Sequence, residues 1–253
     1  MKTTISTITT LRAPLDETVL FVNYYLNLGI DHMFLFFDDP EDKAITVLER
    51  YSKLTCIKCD SIHWNGVDPC SLLIEDRQIH NTWRGLEMAR ENGYEWIIHV
   101  DSDELIYCKN NFHDFFEKID SSVQAINFPT LEAVSNSINF TNVFEEINFF
   151  RVSPVQIYGK KSDRIKLRLR SIYYKYAKKT AFYLGVKRPF RYGYIIGHIL
   201  GKSATRTSAN IGRIGNHYPT DVNGTILNTK VATNGWVLHY DSCGFENWLT
   251  KWE

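Results

Sequence analysis

The stretch "WIIHVDSDELIY", residues 96–107, is the most informative part of the sequence for the fold. Its first half is apolar and β-branched, which is typical of a strand that is buried on both faces. Three acids then follow within four positions, namely Asp101, Asp103 and Glu104. Because an ionised carboxylate is costly to bury without a partner, we predict that this strand ends at the rim of a cleft and that the acids face the cleft.

Strand and helix signals alternate through the first half of the chain. Strands are expected at "TTISTITTLRA", "HMFLFFDDP", "TCIKCDSI", "WIIHVDSDELIY" and "VQAINFPTLEA". Helices are expected at "LDETVLFVNYYLNLGI", "PEDKAITVLERYSKL" and "LIEDRQIHNTWRGLEMARENG". This alternation predicts βαβ units and an α/β fold with a mostly parallel sheet. Ligands bind such sheets beyond the carboxyl ends of the strands, which is where the acids at 38–39, 60 and 101–103 lie.

The length of 253 residues predicts a single large domain, or one domain with a small appendage, and the 44% of hydrophobic residues are sufficient for a soluble protein with a substantial core. The net charge is zero, but residues 1–150 hold 11 Lys/Arg against 24 Asp/Glu, and residues 151–210 hold 15 Lys/Arg against one Asp. The basic segment either faces an anionic partner or balances the acidic half within the molecule. No apolar run reaches the roughly 18–20 residues of a membrane span, and "MKTTISTITT" lacks a signal-peptide core. We therefore expect a cytoplasmic protein.

The pair Asp101 and Asp103, with one residue between them, has three explanations. Two carboxylates at a strand exit are suitable ligands for Mg²⁺ or Mn²⁺, which in turn hold a diphosphate. They also occur as the nucleophile and acid of aspartyl-phosphate phosphatases, but that motif lies early in a chain, whereas Asp101 lies in the middle. In the simplest explanation they cap a turn. The apolar strand before them and the βα units upstream favour the metal–diphosphate site.

Three blocks of the chain carry a resemblance to a known family. They are "TLRAPLDETVLFVNYYLNLGIDHMFLFFDD", "RGLEMARENGYEWIIHVDSDELI" and "GKSATRTSANIGRIGNHYPTD" followed by "GWVLHYDSCGFENWLTKW". These blocks resemble the GT-A glycosyltransferases, specifically the family 2-like group of small bacterial sugar transferases. The resemblance implies a Rossmann-like, mostly parallel sheet flanked by helices, with a basic, aromatic-rich insertion. The chain departs from the family at Leu11-Arg12-Ala13, where Lys-Asn-Glu is usual.

The resemblance divides the chain into two parts of one domain. Residues 1–135 correspond to the half that binds the nucleotide-sugar. Residues 136–253 correspond to an acceptor-side region, which matches nothing in the family over 136–195, and to a C-terminal block that completes the domain.

The resemblance also implies a metal site for Mn²⁺ or Mg²⁺. Asp103 would ligate the cation directly, and Asp101 would contact the ribose of the nucleotide or the waters of the metal. His239, in "LHYD", is similar to the late histidine that completes the metal site in many GT-A enzymes. A lone histidine on an apolar strand is more often a core residue, and the family match is what favours a ligand here.

Further residues are implied as contacts of the donor. Asp39, at the end of the second strand, would accept a hydrogen bond from a uracil-like base. Lys202 and Arg206 would neutralise the diphosphate leaving group, although surface charge explains both of them equally well. The expected donor is therefore a nucleotide-diphosphate-sugar, with UDP-sugar favoured.

The expected reaction is transfer of a sugar to a glycan or lipid-linked acceptor in surface polysaccharide or lipopolysaccharide synthesis. Resemblance to family 2 implies inversion, in which a carboxylate or histidine deprotonates the acceptor hydroxyl. Glu132, His217 and Asp241 all remain candidates for this base, and the last two are favoured because they lie in the recognisable C-terminal block.

The alternative function is a non-catalytic binder of an anionic glycan or nucleotide. In that case the basic segment would dominate and no turnover would occur. Nucleic acid is not an expected partner, because no recognised module surrounds the basic residues. Instead, we predict that the stretch "RIKLRLRSIYYKYAKK", residues 164–179, contacts an anionic acceptor or the inner face of the membrane.

Overall fold

A computed structural model describes residues 3–152, 200–214, 217–241 and 243–244, together with isolated positions between 169 and 184 and residue 249. Most of the basic stretch 164–179 lies outside the described residues, so the insertion and its membrane contact stay predictions. Among the described residues, no helix combines the length and the hydropathy that a membrane span needs.

The described part of the chain contains strands in two sheets and helices that flank the larger sheet. The strands are β1 (Ile5–Leu11), β2 (His32–Phe37), β3 (Leu54–Lys58), β4 (Trp96–His99), β5 (Glu104–Cys108), β6 (Ala125–Phe128), β7 (Thr130–Ala133), β8 (Phe150–Val152), β9 (Lys202–Arg206), β10 (Thr229–Val231) and β11 (Gly235–His239). The helices are α1 (Leu15–Leu28), α2 (Lys43–Leu48), α3 (Ile74–Glu91), α4 (Phe112–Glu117) and α5 (Val143–Glu146).

The larger sheet has seven strands in the order β10-β6-β9-β4-β1-β2-β3. Strand β1 pairs in parallel with β2 and β4, β2 pairs in parallel with β3, and β6 pairs in parallel with β10. Strand β9 is antiparallel to both of its neighbours, β4 and β6. The predicted fold class, an α/β fold with a mostly parallel sheet flanked by helices, is therefore confirmed.

Strand β4 is buried on both faces, as its apolar sequence predicted. Ile98 belongs to one hydrophobic cluster, with Phe21 of α1, and Ile97 belongs to the other, with Leu86 of α3. The helices therefore cover both faces of the sheet. Gly85 allows α3 to approach closely, because a Cβ atom there would lie 2.7 Å from the side chain of Ile8.

Two predicted strands are each two strands in the structure, which corrects the sequence analysis. The stretch 96–107 divides into β4 and β5, and the stretch 123–133 divides into β6 and β7 on either side of Pro129. Strands β5 and β7 belong to a second sheet, whose order is β5-β11-β7-β8. In each case the chain leaves the larger sheet and enters the smaller one, so the segment between the two strands lies where the sheets meet.

The helix boundaries largely follow the local signals. Helix α1 ends at Gly29, whose φ is 101°, and α3 is followed by Gly93, whose φ is 73°; glycine adopts this left-handed region without strain. Helix α2 is shorter than expected and begins after Asp42 instead of at Pro40, because the Asp42 side chain accepts a hydrogen bond from the Ala44 N–H at 2.8 Å.

Candidate active site

The two aspartates of the D-x-D motif have different partners in the structure. Asp101 turns toward Lys202, whose Nζ lies 2.6 Å from Oδ2, and its Oδ1 accepts a hydrogen bond from Gln78 at 2.8 Å. Lys202 also lies 3.2 Å from Oε2 of Glu104, and the same oxygen accepts the backbone N–H of Asp101 at 3.0 Å. We call Asp101, Glu104 and Lys202 the inner ion cluster.

The charges of the inner ion cluster follow from its burial, since the Lys202 side chain is only 1% exposed. Burial would raise the pKa of Asp101, but the Lys202 ammonium outweighs it and holds the pKa well below the ordinary value. Burial raises the pKa of Glu104 to about 7. Burial opposes the charge of Lys202 as well, but the two carboxylates raise its pKa above the ordinary value. His99, buried behind Asp101, is neutral because burial and Lys202 lower its pKa to about 3.

Lys202 reaches this position because β9 lies between β4 and β6. Lys202 is opposite Phe128 in the register of β6 and β9. The residue before it is Gly201, where a Cβ atom would lie 1.8 Å from the carbonyl oxygen of Phe128. Only glycine permits this approach of the two backbones, so the entry of β9 into the sheet depends on Gly201.

Asp103 belongs to a second group of side chains, at the outer end of the crossing from β4 to β5. The possible ligand atoms of Asp103, His239 and Asp241 all lie within 4.8 Å of one another, and His239 Nε2 is 3.8 Å from Asp103 Oδ2. The backbone N–H of Tyr240 donates to the Asp103 carbonyl at 2.9 Å, which holds the end of β11 against the crossing. We call Asp103, His239 and Asp241 the rim cluster.

His239 is held from behind by Glu132 of β7. The Nδ1 atom of His239 lies 3.0 Å from Oε2 of Glu132, and both side chains are buried. Burial would lower the pKa of His239, but the hydrogen bond to Glu132 and the nearby carboxylates, Asp103 first among them, raise it to about 9. The sequence suggested Glu132 as a catalytic base, but in the structure its carboxylate is hydrogen-bonded to the imidazole of His239.

The donor set of the rim cluster fits a divalent cation. Two carboxylates and one imidazole are suitable for Mn²⁺, whereas Mg²⁺ prefers oxygen ligands alone. The second ring nitrogen of a metal-binding histidine commonly donates a hydrogen bond to a carboxylate, and His239 has this contact with Glu132. Asp241, another candidate base, lies in this cluster. The structure does not bring Asp101 into it, because the carboxylate of Asp101 is engaged with Lys202 and Gln78.

A cleft of about 490 Å³ lies beyond the carboxyl ends of β1 and β2. Its lining includes Asp39, which was predicted to contact the base, and Arg12, at the departure from the family sequence. Asp39 Oδ1 accepts the backbone N–H of Glu41 at 2.9 Å. Both carboxylate oxygens of its neighbour Asp38 contact Nη1 of Arg77, a residue of α3, so the cleft carries charge of both signs.

His217 and Arg206 were predicted for the same site, but they lie in different places. His217 Nδ1 is 3.0 Å from the Gly201 carbonyl oxygen, at the start of β9 and beside the inner ion cluster. Arg206 lies four residues along β9, about 13 Å away for an extended strand. There it pairs with Glu95 and stacks 4.3 Å over the ring of Trp96. This placement does not support a contact between Arg206 and a diphosphate at the aspartates.

Sequence reasoning missed Arg77, Gln78 and the role of Glu104. Arg77 and Gln78 lie on α3, and they meet Asp38 and Asp101 only because α3 packs across the sheet. No local signal distinguishes them from other polar residues on the helix. Glu104 was visible as the third acid of its stretch, but only the structure gives it Lys202 as a partner.

Comparisons with known proteins place the chain in a family. The model described as glycosyltransferase family 92 matches residues 5–253. A glycosyltransferase-like protein of Arabidopsis thaliana is 21% identical over 275 residues, covering 99% of this chain and 56% of its own length. A second one from the same plant is 24% identical over 173 residues, covering 60% of this chain and 34% of its own length. The chain thus spans about half of the length of the first relative and about a third of the length of the second.

Among solved structures, the crystal structure of HddC from Yersinia pseudotuberculosis aligns over 98% of this chain and 97% of its own, with 10% identity and a TM-score of 0.42.

Proposed function

The chain belongs to glycosyltransferase family 92, and from this premise we propose that it transfers a sugar from a nucleotide-diphosphate-sugar to a glycan or lipid-linked acceptor. Membership confirms the predicted class of protein, while the matching family is 92 and not the family 2-like group. The observation that carries the proposal is the rim cluster, which brings Asp103, His239 and Asp241 together beside the carboxyl ends of the strands.

The donor is proposed to bind across the cleft and the rim cluster. The cleft at the ends of β1 and β2 is large enough for a nucleoside, at about 490 Å³. Asp39 offers a carboxylate to a base that has an N–H group, as uracil has at N3, and UDP-sugars are the donors that we propose. Arg12 lines the same cleft and offers a cation to the phosphate or ribose side of the nucleotide.

The cation is proposed to be Mn²⁺ or Mg²⁺, held by Asp103, His239 and Asp241. When bound, it would supply positive charge to the departing diphosphate. Lys202 contributes to this arrangement as a fixed ammonium, because the adjacent carboxylates of Asp101 and Glu104 raise its pKa and keep it protonated. Asp101 in turn is held in place by Lys202 and Gln78. We propose that its carboxylate lines the site and accepts hydrogen bonds from the ribose hydroxyls of the donor.

Of the three candidate bases, we assign the role to His217. Asp241 is one of the proposed cation ligands, and Glu132 is hydrogen-bonded to His239, so the carboxylates of both are already engaged. His217 faces the Gly201 carbonyl through Nδ1, and a carbonyl only accepts, so the proton of the neutral ring lies on Nδ1. The Nε2 atom is then the basic nitrogen, as removal of a proton from an acceptor hydroxyl requires in an inverting displacement.

The proposal is tested by the hydrolysis and binding of nucleotide-sugars with and without Mn²⁺. Donor binding should raise the melting temperature in proportion to the logarithm of ligand concentration over Kd, and UDP-sugars should be hydrolysed slowly without an acceptor. The matched control is Asp103→Asn, which keeps the shape of the side chain and removes its charge. Binding without any hydrolysis or transfer would instead identify the protein as a binder of anionic glycans or nucleotides.

A further inference from the structure

We infer that Glu132 is a positioning residue that fixes the imidazole ring of His239 in the orientation needed by the rim cluster. The inference deepens the proposed metal site and rests on it. It replaces the role of catalytic base that the sequence suggested for Glu132. The contact is between the Oε2 atom of Glu132 and the Nδ1 atom of His239, at 3.0 Å.

The sheet places an acid on each side of His239. Strand β11 lies between β5 and β7, so His239 is opposite Glu104 in one register and opposite Glu132 in the other. Both glutamates are buried, but they face different groups. The Oε2 atom of Glu104 lies 3.2 Å from Lys202 Nζ, whereas Glu132 accepts a hydrogen bond from the imidazole ring of His239. Glu104 thus belongs to the inner ion cluster, and Glu132 contacts His239.

The contact with Glu132 determines which ring nitrogen faces the rim. A carboxylate accepts hydrogen bonds, so Nδ1 is the nitrogen that donates. The ring is thereby fixed with Nε2 on the opposite side, 3.8 Å from Asp103 Oδ2 and within the group that includes Asp241. Without Glu132 the ring is able to turn about its Cβ–Cγ bond, and the nitrogen nearest the carboxylates is no longer fixed.

The consequence is measurable as cation affinity. Loss of a carboxylate that orients a metal-binding histidine typically weakens binding by about 10- to 100-fold. Such a loss separates positioning from simple packing, because a packing residue changes the melting temperature without changing the Kd for the cation. Glu104 is a second buried acid near the imidazole of His239, so comparing the loss of Glu104 with the loss of Glu132 separates the effect of ring orientation from that of nearby negative charge.

The test is titration of the full chain with Mn²⁺, followed by the EPR signal of the free ion, for the wild type, Glu132→Leu, Glu132→Asp, Glu132→Gln and Glu104→Gln. Unfolding in EDTA provides the stability readout. We expect a Kd raised about 10- to 100-fold in Glu132→Leu. Glu132→Asp, whose shorter carboxylate no longer reaches Nδ1, should show the same loss and covers the case in which the leucine variant does not fold. Glu132→Gln keeps an oxygen acceptor and should restore the affinity to within about threefold of the wild type.

The outcomes distinguish this inference from the proposed function. If the wild type does not bind Mn²⁺, the metal part of the proposed function fails. If the wild type binds and both Glu132→Leu and Glu132→Asp bind equally well, the positioning role alone is overturned. Equal losses in Glu104→Gln and Glu132→Gln would also overturn it, because they would show that nearby negative charge, and not orientation of the ring, sets the affinity.

Discussion

The inner ion cluster and the rim cluster each take one aspartate of the D-x-D motif, Asp101 and Asp103, which are separated only by Ser102, but the two clusters differ in composition and exposure. In the inner ion cluster a cation lies between two carboxylates, and Lys202 is 1% exposed. In the rim cluster two carboxylates and an imidazole converge, and the side chain of Asp103 is 36% exposed. The same D-x-D motif thus supplies one acid to the structure of the crossing and one acid to the proposed binding of a cation.

The physical reason lies in which charges are already paired. Lys202 is almost fully buried, and a buried charge is tolerated only when its partners are fixed beside it, so Lys202 needs the carboxylates of Asp101 and Glu104. An acid at the rim retains contact with water and with the other rim side chains, so it is available for a ligand that arrives later. Changes in the inner ion cluster are therefore expected to affect stability first, and changes in the rim cluster are expected to affect cation binding and activity first.

The largest expected effect belongs to Asp103→Ala. Sugar transfer should fall by about 10⁴-fold, since a bound cation contributes several kcal/mol of charge stabilisation. The free energy of unfolding should change little, because a partly exposed residue at the end of a strand contributes little to core packing. Steady-state kinetics and urea unfolding measure the two quantities, and full activity in this variant would remove the rim cluster from the mechanism.

The next effect is expected for Lys202→Met, which leaves the buried carboxylate of Glu104 and the partly buried carboxylate of Asp101 without their cation. The free energy of unfolding should fall by about 3–5 kcal/mol, as for other broken buried ion pairs. Chemical denaturation checks this value, and the double variant with Asp101→Asn should recover part of the loss. An unchanged stability of Lys202→Met would mean that the inner ion cluster does not hold the crossing.

A smaller effect is expected for His239→Ala. The Kd for Mn²⁺ should rise by about 100-fold, at least as much as for the loss of an outer-shell partner, and the activity optimum should move to a higher Mn²⁺ concentration. Calorimetric titration with Mn²⁺ and a nucleoside diphosphate measures the change. A lower melting temperature with the same dependence on metal would instead assign His239 to the core.

The smallest effect is expected for Arg206→Gln, at the opposite end of β9 from Lys202. Loss of the contacts with Trp96 and Glu95 should lower the free energy of unfolding by about 1 kcal/mol. The Kd for Mn²⁺ and the KM for the donor should stay at their wild-type values. A large increase in KM would restore the predicted contact with the diphosphate and would contradict the separation along β9.

Local patterns predicted much of the first half of the chain because their causes are local. The spacing of apolar residues and the glycines at 29 and 93 were sufficient for α1 and α3. The strand exit at Asp101–Asp103 was also visible, since an apolar run that meets several acids must change environment. What the pattern did not reveal was that 96–107 passes from one sheet to another, because both of its strands read as one continuous extended segment.

The candidate site was predicted only in part, for a related reason. Asp103, His239 and Asp241 were all singled out, but with different roles, and only the structure brings them into one group. The separation of Lys202 from Arg206 follows from the direction of β9, which no local pattern states. The predicted division at residue 135 and the basic stretch 164–179 stay predictions.

Sequence patterns alone were sufficient to predict the α/β class, the mostly parallel sheet and the end of the strand at which the acids gather. These follow from periodicity and from the cost of burying charge, which act between neighbours in the chain. The partner of Lys202, the partner of His239 and the position of Glu132 behind the imidazole are evident only in the folded chain. Each pairing joins residues more than a hundred positions apart, because strands β9 and β11 come late in the chain and lie between strands from earlier in it, and their register sets which side chains meet.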